Sequence, residues 1–154
     1  MKLAEALTAR ADLQRRIEQL RDRITANARY QEGEEPAEDA AALLVEAEAA
    51  LGQLRDLIRR INATNARLDL GDGTMTDALA RRDVLRLQHS LLADAAAAAS
   101  GAHQVGLRQM RSELRQIAAL PVAPLRSAAD DIAQELRELD NRIQQANWTH
   151  DLEG

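Results

Sequence analysis

Cysteine and phenylalanine are absent from this 154-residue sequence, and tryptophan and tyrosine occur once each. Without cysteine there are no disulfides, no thiolate metal sites and no cysteine nucleophile. Aromatic side chains bury the largest area per residue. Without them the interior falls to Leu, Ile, Val and Ala, within a hydrophobic content of 45%. Ala-lined seams remove little surface from water at roughly 25 cal/mol per Å², so an isolated subunit gains less from burial than is usual. Few aromatic and β-branched residues also argue against a large sheet.

Lysine is nearly absent too: among the 20 basic residues only Lys2 is a lysine. The formal net charge is −5, with 25 acids interleaved among the bases. Asp12/Arg16, Asp56/Arg60 and Glu138/Arg142 are each spaced i,i+4 with the acid first, the favourable order on a solvated helix face. A nucleic-acid surface needs clustered basic charge and stacking aromatics, and the sequence supplies neither. Long apolar runs are missing as well. Ala95–Ala99, preceded by Asp94, falls far short of the roughly 20 residues that span a bilayer, so a membrane partner is not expected. The opening Met1-Lys2-Leu3-Ala4-Glu5 carries an acid where a signal peptide has an apolar run. The expected compartment is the cytoplasm.

Helical periodicity is what the sequence has in quantity. Leu3, Leu13, Ile17, Leu20 and Ile24 share a stripe over residues 2–30, with Ala6 and Leu7 beside it. Gly33 supplies a stop, and Pro36 can open a second helix. From there to about Ala66, residues Leu44, Ala47, Leu51, Leu54, Ile58, Ile61, Asn65 and Leu68 alternate steps of three and four. A helix of that length runs about 45 Å and needs partners of similar reach. Asp72-Gly73, flanked by Leu68, Leu70 and Met75, predicts a small β-hairpin near 67–76. Asp69, Asp72 and Asp77 do not have the spacing of an EF-hand loop. A third helix is expected over 77–100, with Leu85, His89, Leu92, Ala96 and Ala99 on one seam, and Gly101 ends it. Residues 102–120 read as helix or strand. Leu125, Ala129, Ile132, Leu136, Leu139, Ile143 and Ala146 then mark a final helix over 122–147. The expected fold is mainly α: a single domain, residues 1–154, built as an antiparallel bundle of about four long helices with coiled-coil-like seams.

Polar islands between these stripes carry a resemblance. They are Met1–Leu7, Gln31-Glu32-Gly33 with Pro36, Ile61–Asn65, Thr76–Leu85, Arg111-Ser112-Glu113 and Glu138–Trp148. Together they span almost the whole chain, and the sequence resembles a bacterial family of uncharacterised small proteins, some of them labelled septicolysin. The resemblance implies helices with a small β element, a strand after Arg111-Ser112-Glu113, and, from the label, a cytolytic activity. Here Leu114–Leu120 is less β-branched than the family pattern, which favours helix. No secretion signal, spanning segment or glycine-flanked amphipathic hairpin accompanies the cytolytic label.

Candidate functional residues are polar groups on apolar stripes. Arg10, Asn27, Asn65 and His89 stand where leucine is expected. A buried polar group costs about 1–3 kcal/mol if unpaired, so each needs a partner. They either fix helix register and oligomer number, line a shared polar pocket, or lie at mis-phased exposed positions. Arg81, Arg82 and Asp83 form a ligand or ion-pair cluster, and Glu113 joins it, or joins Asp83 and His89 in an oxygen-rich site, if folding brings them together. Trp148 is expected to plug the end of the helices. His89, His103 and His150 are far apart, and none has a Glu three residues before it, as carboxylate-bridged bundle sites require. There is no Gly-x-Ser-x-Gly elbow and no phosphate-binding loop. No catalytic residue, metal ligand or cofactor is assigned. Three functions remain in order of preference: a homo-oligomeric assembly protein, as a dimer or ring of dimers; a ligand- or metal-binding protein with a pocket near Arg82, Asp83 and His89; and a septicolysin-like cytolysin.

Overall fold

Among the described residues the periodic stripes form four helices. A computed structural model describes residues 1–102 and 114–153. The helices are α1 (Leu3–Asn27), α2 (Ala40–Arg67), α3 (Met75–Ala99) and α4 (Val122–Thr149). The fold is all-α: among the described residues there is no strand, only two isolated bridges, Lys2 with Asp151 and Asp69 with Thr74. None of the described helices is long and apolar enough to cross a membrane. Glu113 and His103, and with them most of the uncertain 102–120 stretch, lie outside the described residues. Its described remainder, 114–120, is neither helix nor strand.

The chain divides into two compact units. One comprises Met1–Met75 with Gln144–Gly154, the other Thr76–Ile143. In the first, α1 and α2 pack antiparallel: Arg23 meets Glu38 and Arg16 meets Glu46, so one number falls as the other rises. Leu20, Leu43 and Ala47 form a buried cluster with Ile24 against it. α1 starts with the Lys2 amide donating to the Glu5 carboxylate at 2.7 Å, half of a capping box. α2 starts later than Pro36. Asp39 is its cap, and its Oδ1 accepts from the amides of Ala41 and Ala42 at 2.9 and 3.1 Å. These are the first-turn donors that have no partner within the helix.

The hairpin expected near 67–76 is reduced to a turn. Only residues 68–74 separate α2 from α3, too few for a ladder. The Leu70 amide donates to the Gly73 carbonyl at 2.8 Å and the Met75 amide to the Leu68 carbonyl at 2.8 Å. Gly71 and Gly73 have positive φ, 92° and 143°, which a residue with a Cβ rarely adopts. Leu68 and Met75 are buried on either side of this turn, which fixes where α3 begins.

Seam phase is as expected on α1 and α4. On α4, Ala129, Leu139, Ile143 and Ala146 are buried. On α2 it is shifted. The buried residues are Leu43, Ala47, Ala50, Leu57, Ile61, Thr64 and Leu68. Ala47, Ile61 and Leu68 belong to the expected stripe; Leu44 and Leu51 are instead 50% exposed. Asn65 and Ile58, on the same flank, are half-buried.

Candidate functional site

Three polar groupings and two apolar surfaces can be built from the residues upward. The first lies in the unit formed by Thr76–Ile143. Arg81, on α3, donates through Nε to Glu135 of α4 at 3.2 Å. Arg82 is mostly covered, and its Nε has no hydrogen-bond partner among the described residues. That nitrogen lies 3.5 Å from the Asp83 carboxylate and 4.0 Å from that of Asp140, so it is compensated by charge without hydrogen-bond geometry. Arg86 lies 3.9 Å from Asp83 and 3.7 Å from Asp140. The Arg81-Arg82-Asp83 cluster is therefore met by the carboxylates of Glu135 and Asp140, which cross-link α3 to α4. His89, half-buried one seam position beyond Leu85, has no polar contact to either carboxylate among the described residues.

The second grouping joins the two ends of the chain. The Leu3 amide donates to the His150 carbonyl at 3.0 Å and the Leu152 amide to the Met1 carbonyl at 2.8 Å. Lys2 Nζ pairs with Asp151 at 3.1 Å and donates to the Thr149 carbonyl at 3.0 Å. That ammonium holds the Asp151 carboxyl below its ordinary range, chiefly by hydrogen bonding and then by charge. Thr64, buried on α2, ties the same segment down: its hydroxyl donates to the Arg60 carbonyl at 2.9 Å and accepts from the Glu153 amide at 3.0 Å. Arg60 Nε reaches the Glu153 carbonyl at 3.0 Å, and Arg67 pairs with the Glu153 carboxylate at 2.6 Å. Sequence reasoning missed Thr64. Its signal is a place on the 57–61–64–68 stripe, one residue from Asn65.

The third grouping is a shallow cleft between α1 and α2. It has a volume of about 370 Å³ and is lined by Asp12, Arg15, Arg16, Gln19, Leu20, Arg23 and Glu46. Three guanidinium groups suggest an anion site, but each is matched by a carboxylate. Arg15 pairs with Asp12, Arg16 with Glu46 at 2.8 Å and Arg23 with Glu38. The Arg23 hydrogen bond lowers the Glu38 pKa, and Glu38 in turn raises that of Arg23. The cleft is neutralised from within. Asn27 locks the neighbouring turn: its amide donates to the Arg23 carbonyl at 2.8 Å, and its carbonyl accepts from the Glu38 amide at 3.1 Å.

Arg10 is half-buried, with an Nε that lacks a hydrogen-bond partner among the described residues. Trp148, expected as a plug at the helix ends, is 62% exposed. On α4 it follows Ala146 and Asn147, which take the buried face, and helical geometry turns the next residue outward. Among the described residues no group of three His, Asp or Glu side chains is arranged to hold a metal ion.

Apolar surface is the other resource. On α2, Leu44, Val45 and Leu51 are exposed; on α3, Val84, Leu87 and Leu91 are exposed at spacings of three and four. Both helices thus carry a buried stripe and a second apolar stripe facing out.

Against known families, residues 10–152 match the model of a family of unknown function, DUF6847. The chain belongs to DUF6847. It is also similar to a solved structure described as a functionally unknown conserved protein from Corynebacterium diphtheriae. The identity is 38% with a TM-score of 0.88, and 99% of each chain is covered. No curated protein matches. DUF6847 gives the kinship of this chain, and the solved structure shares its fold.

Proposed function

We propose that this protein is an assembly unit: a helical subunit that associates with copies of itself into a closed symmetric oligomer, a dimer or a ring of dimers. The observation that carries this reading is the doubled apolar patterning of α2 and α3. Leu44, Val45, Leu51, Val84, Leu87 and Leu91 are large apolar side chains left in water on ordered helices. Single exposed leucines are common, but runs of them along one helix face mark interaction surfaces. An interior without phenylalanine supports the same reading, because association adds burial that one chain lacks. Closed point-group symmetry is the usual outcome for identical subunits.

Light scattering behind a sizing column tests it. A species at a multiple of 16.9 kDa, populated at tens of micromolar and dissociating on dilution, is expected. A mass of one chain at every concentration overturns it. Release of dye from liposomes by that monomer would instead favour the cytolytic role implied by the septicolysin resemblance.

A further inference from the structure

We infer that the outward face of α2 packs antiparallel on the same face of a second copy, about a two-fold axis between Leu51 and Gly52. This deepens the assembly reading and rests on it.

Three observations on one helix converge. The first is the exposed apolar row already described, Leu44, Val45 and Leu51, with Ile58 half-buried on the same flank. The second is Gly52. A glycine inside a helix weakens it relative to alanine, and among the described residues an added Cβ here would meet no atom within 4 Å. A glycine facing open space admits the close approach of a second backbone or of a large side chain. The third is charge. From residue 40 to 53, α2 carries two acids, Glu46 and Glu48, and no base. From 54 to 67 it carries four arginines and one acid, Asp56. A parallel copy would set like charges together; an antiparallel copy sets the acidic half against the basic half.

The register follows from these residues. With the axis between 51 and 52, Leu51 of one copy lies over Gly52 of the other, Val45 over Ile58, and Glu48 opposite Arg55. Glu48 and Arg55 are both exposed. Among the described residues Arg55 pairs with its sequence neighbour Asp56, at 3.1 Å, a contact within one helix that a reach across the axis can exchange. A two-fold interface uses each pairing twice, and no like charges face each other among these positions. A helix of this length offers a strip of roughly 400 Å² per copy, taking a ~42 Å rise and a ~10 Å width. That is about half of a standard interface, so the contact is one that opens on dilution.

The absence of native cysteine makes the register directly readable. Glu48→Cys protein is mixed with Arg55→Cys protein and mildly oxidised. The mixed disulfide is expected, and neither variant should cross-link with itself. In this register the two copies of either position are offset by about 10 Å along the helix, beyond the ~7 Å Cα separation a disulfide can bridge. In parallel, sedimentation measures the charge swap on variants with unchanged circular dichroism. Glu48→Arg and Arg55→Glu should each weaken self-association several-fold, and the double variant should restore it to within about twofold. An oligomer with no preference for the mixed disulfide, or with no rescue by the double variant, overturns the α2 register and leaves the assembly reading standing. A chain that stays monomeric at every concentration overturns both.

Discussion

Thr64 illustrates how much one hydroxyl can organise. It donates backward to Arg60 and accepts from the amide of Glu153, 89 residues away in sequence. Thr64→Val keeps the shape and strands that amide, so a loss of about 1 kcal/mol is expected in urea unfolding; Thr64→Ser should retain most of it. A change within error for the valine variant would mean that water replaces the hydroxyl. Asn27 and Asn65 show what could be read at this scale and what could not. Both occupy polar breaks in apolar stripes, and the sequence marks them as positions in need of partners. Asn27 has its partners in the Arg23 carbonyl of its own helix and in the Glu38 amide, and the second comes from a connection whose path no stripe encodes. At Asn65 the buried polar residue is its neighbour Thr64, a difference of one position that composition does not reveal. The Arg82 pairing with Asp140 was equally hidden, because a sequence shows a charge without showing which helix answers it.

Helix existence was legible, helix rotation only in part. On α1 and α4 one stripe is apolar and its opposite face polar, so phase follows from pattern. On α2 two stripes compete: 43, 50 and 57 are Leu, Ala and Leu, while 44, 51 and 58 are Leu, Leu and Ile. Both sets alternate with 47, 54, 61 and 68 in steps of three and four. The bulkier set is the one expected inside, yet it is the set containing Ala50 that is buried. Two variants test the local physics of this helix. Asp39→Ala removes the acceptor for two first-turn amides and should cost about 1 kcal/mol, seen as a lower midpoint in thermal or urea unfolding. Gly52→Ala adds a Cβ into open space. In dilute solution it should therefore stabilise the chain by about 1 kcal/mol; a destabilised variant would show a close contact that one chain does not contain.

At the scale of the whole molecule, stability should depend on acid in a defined direction. Glu38 and Asp151 are both held below their ordinary range when folded, by Arg23 and Lys2 respectively. The unfolded chain therefore binds more protons in the interval between folded and unfolded values. Their contribution is complete above the unfolded carboxylate range near pH 4 and is lost as pH falls through the folded values. Unfolding midpoints followed from pH 6 to pH 2 should drop at the acid end, and Asp151→Asn should flatten part of that drop. Both pairs face solvent, so 1 M salt should blunt the effect as well. A profile identical in the variant and the parent would assign the acid sensitivity to other groups. Kinship with DUF6847 over residues 10–152 places these pairs within or beside the shared region.

The meeting of Met1 with Leu152 has a practical corollary. Residues 1 and 152 lie side by side, so this stretch can be rewired: a short Gly/Ser bridge can join the two, and new ends can be cut into the Gly33 turn, where φ is 89°. Such a circularly permuted chain keeps every helix intact and should refold with an unaltered far-ultraviolet spectrum. It would also free the original junction from carrying tags, which otherwise crowd Lys2 and Asp151 whichever end they are fused to.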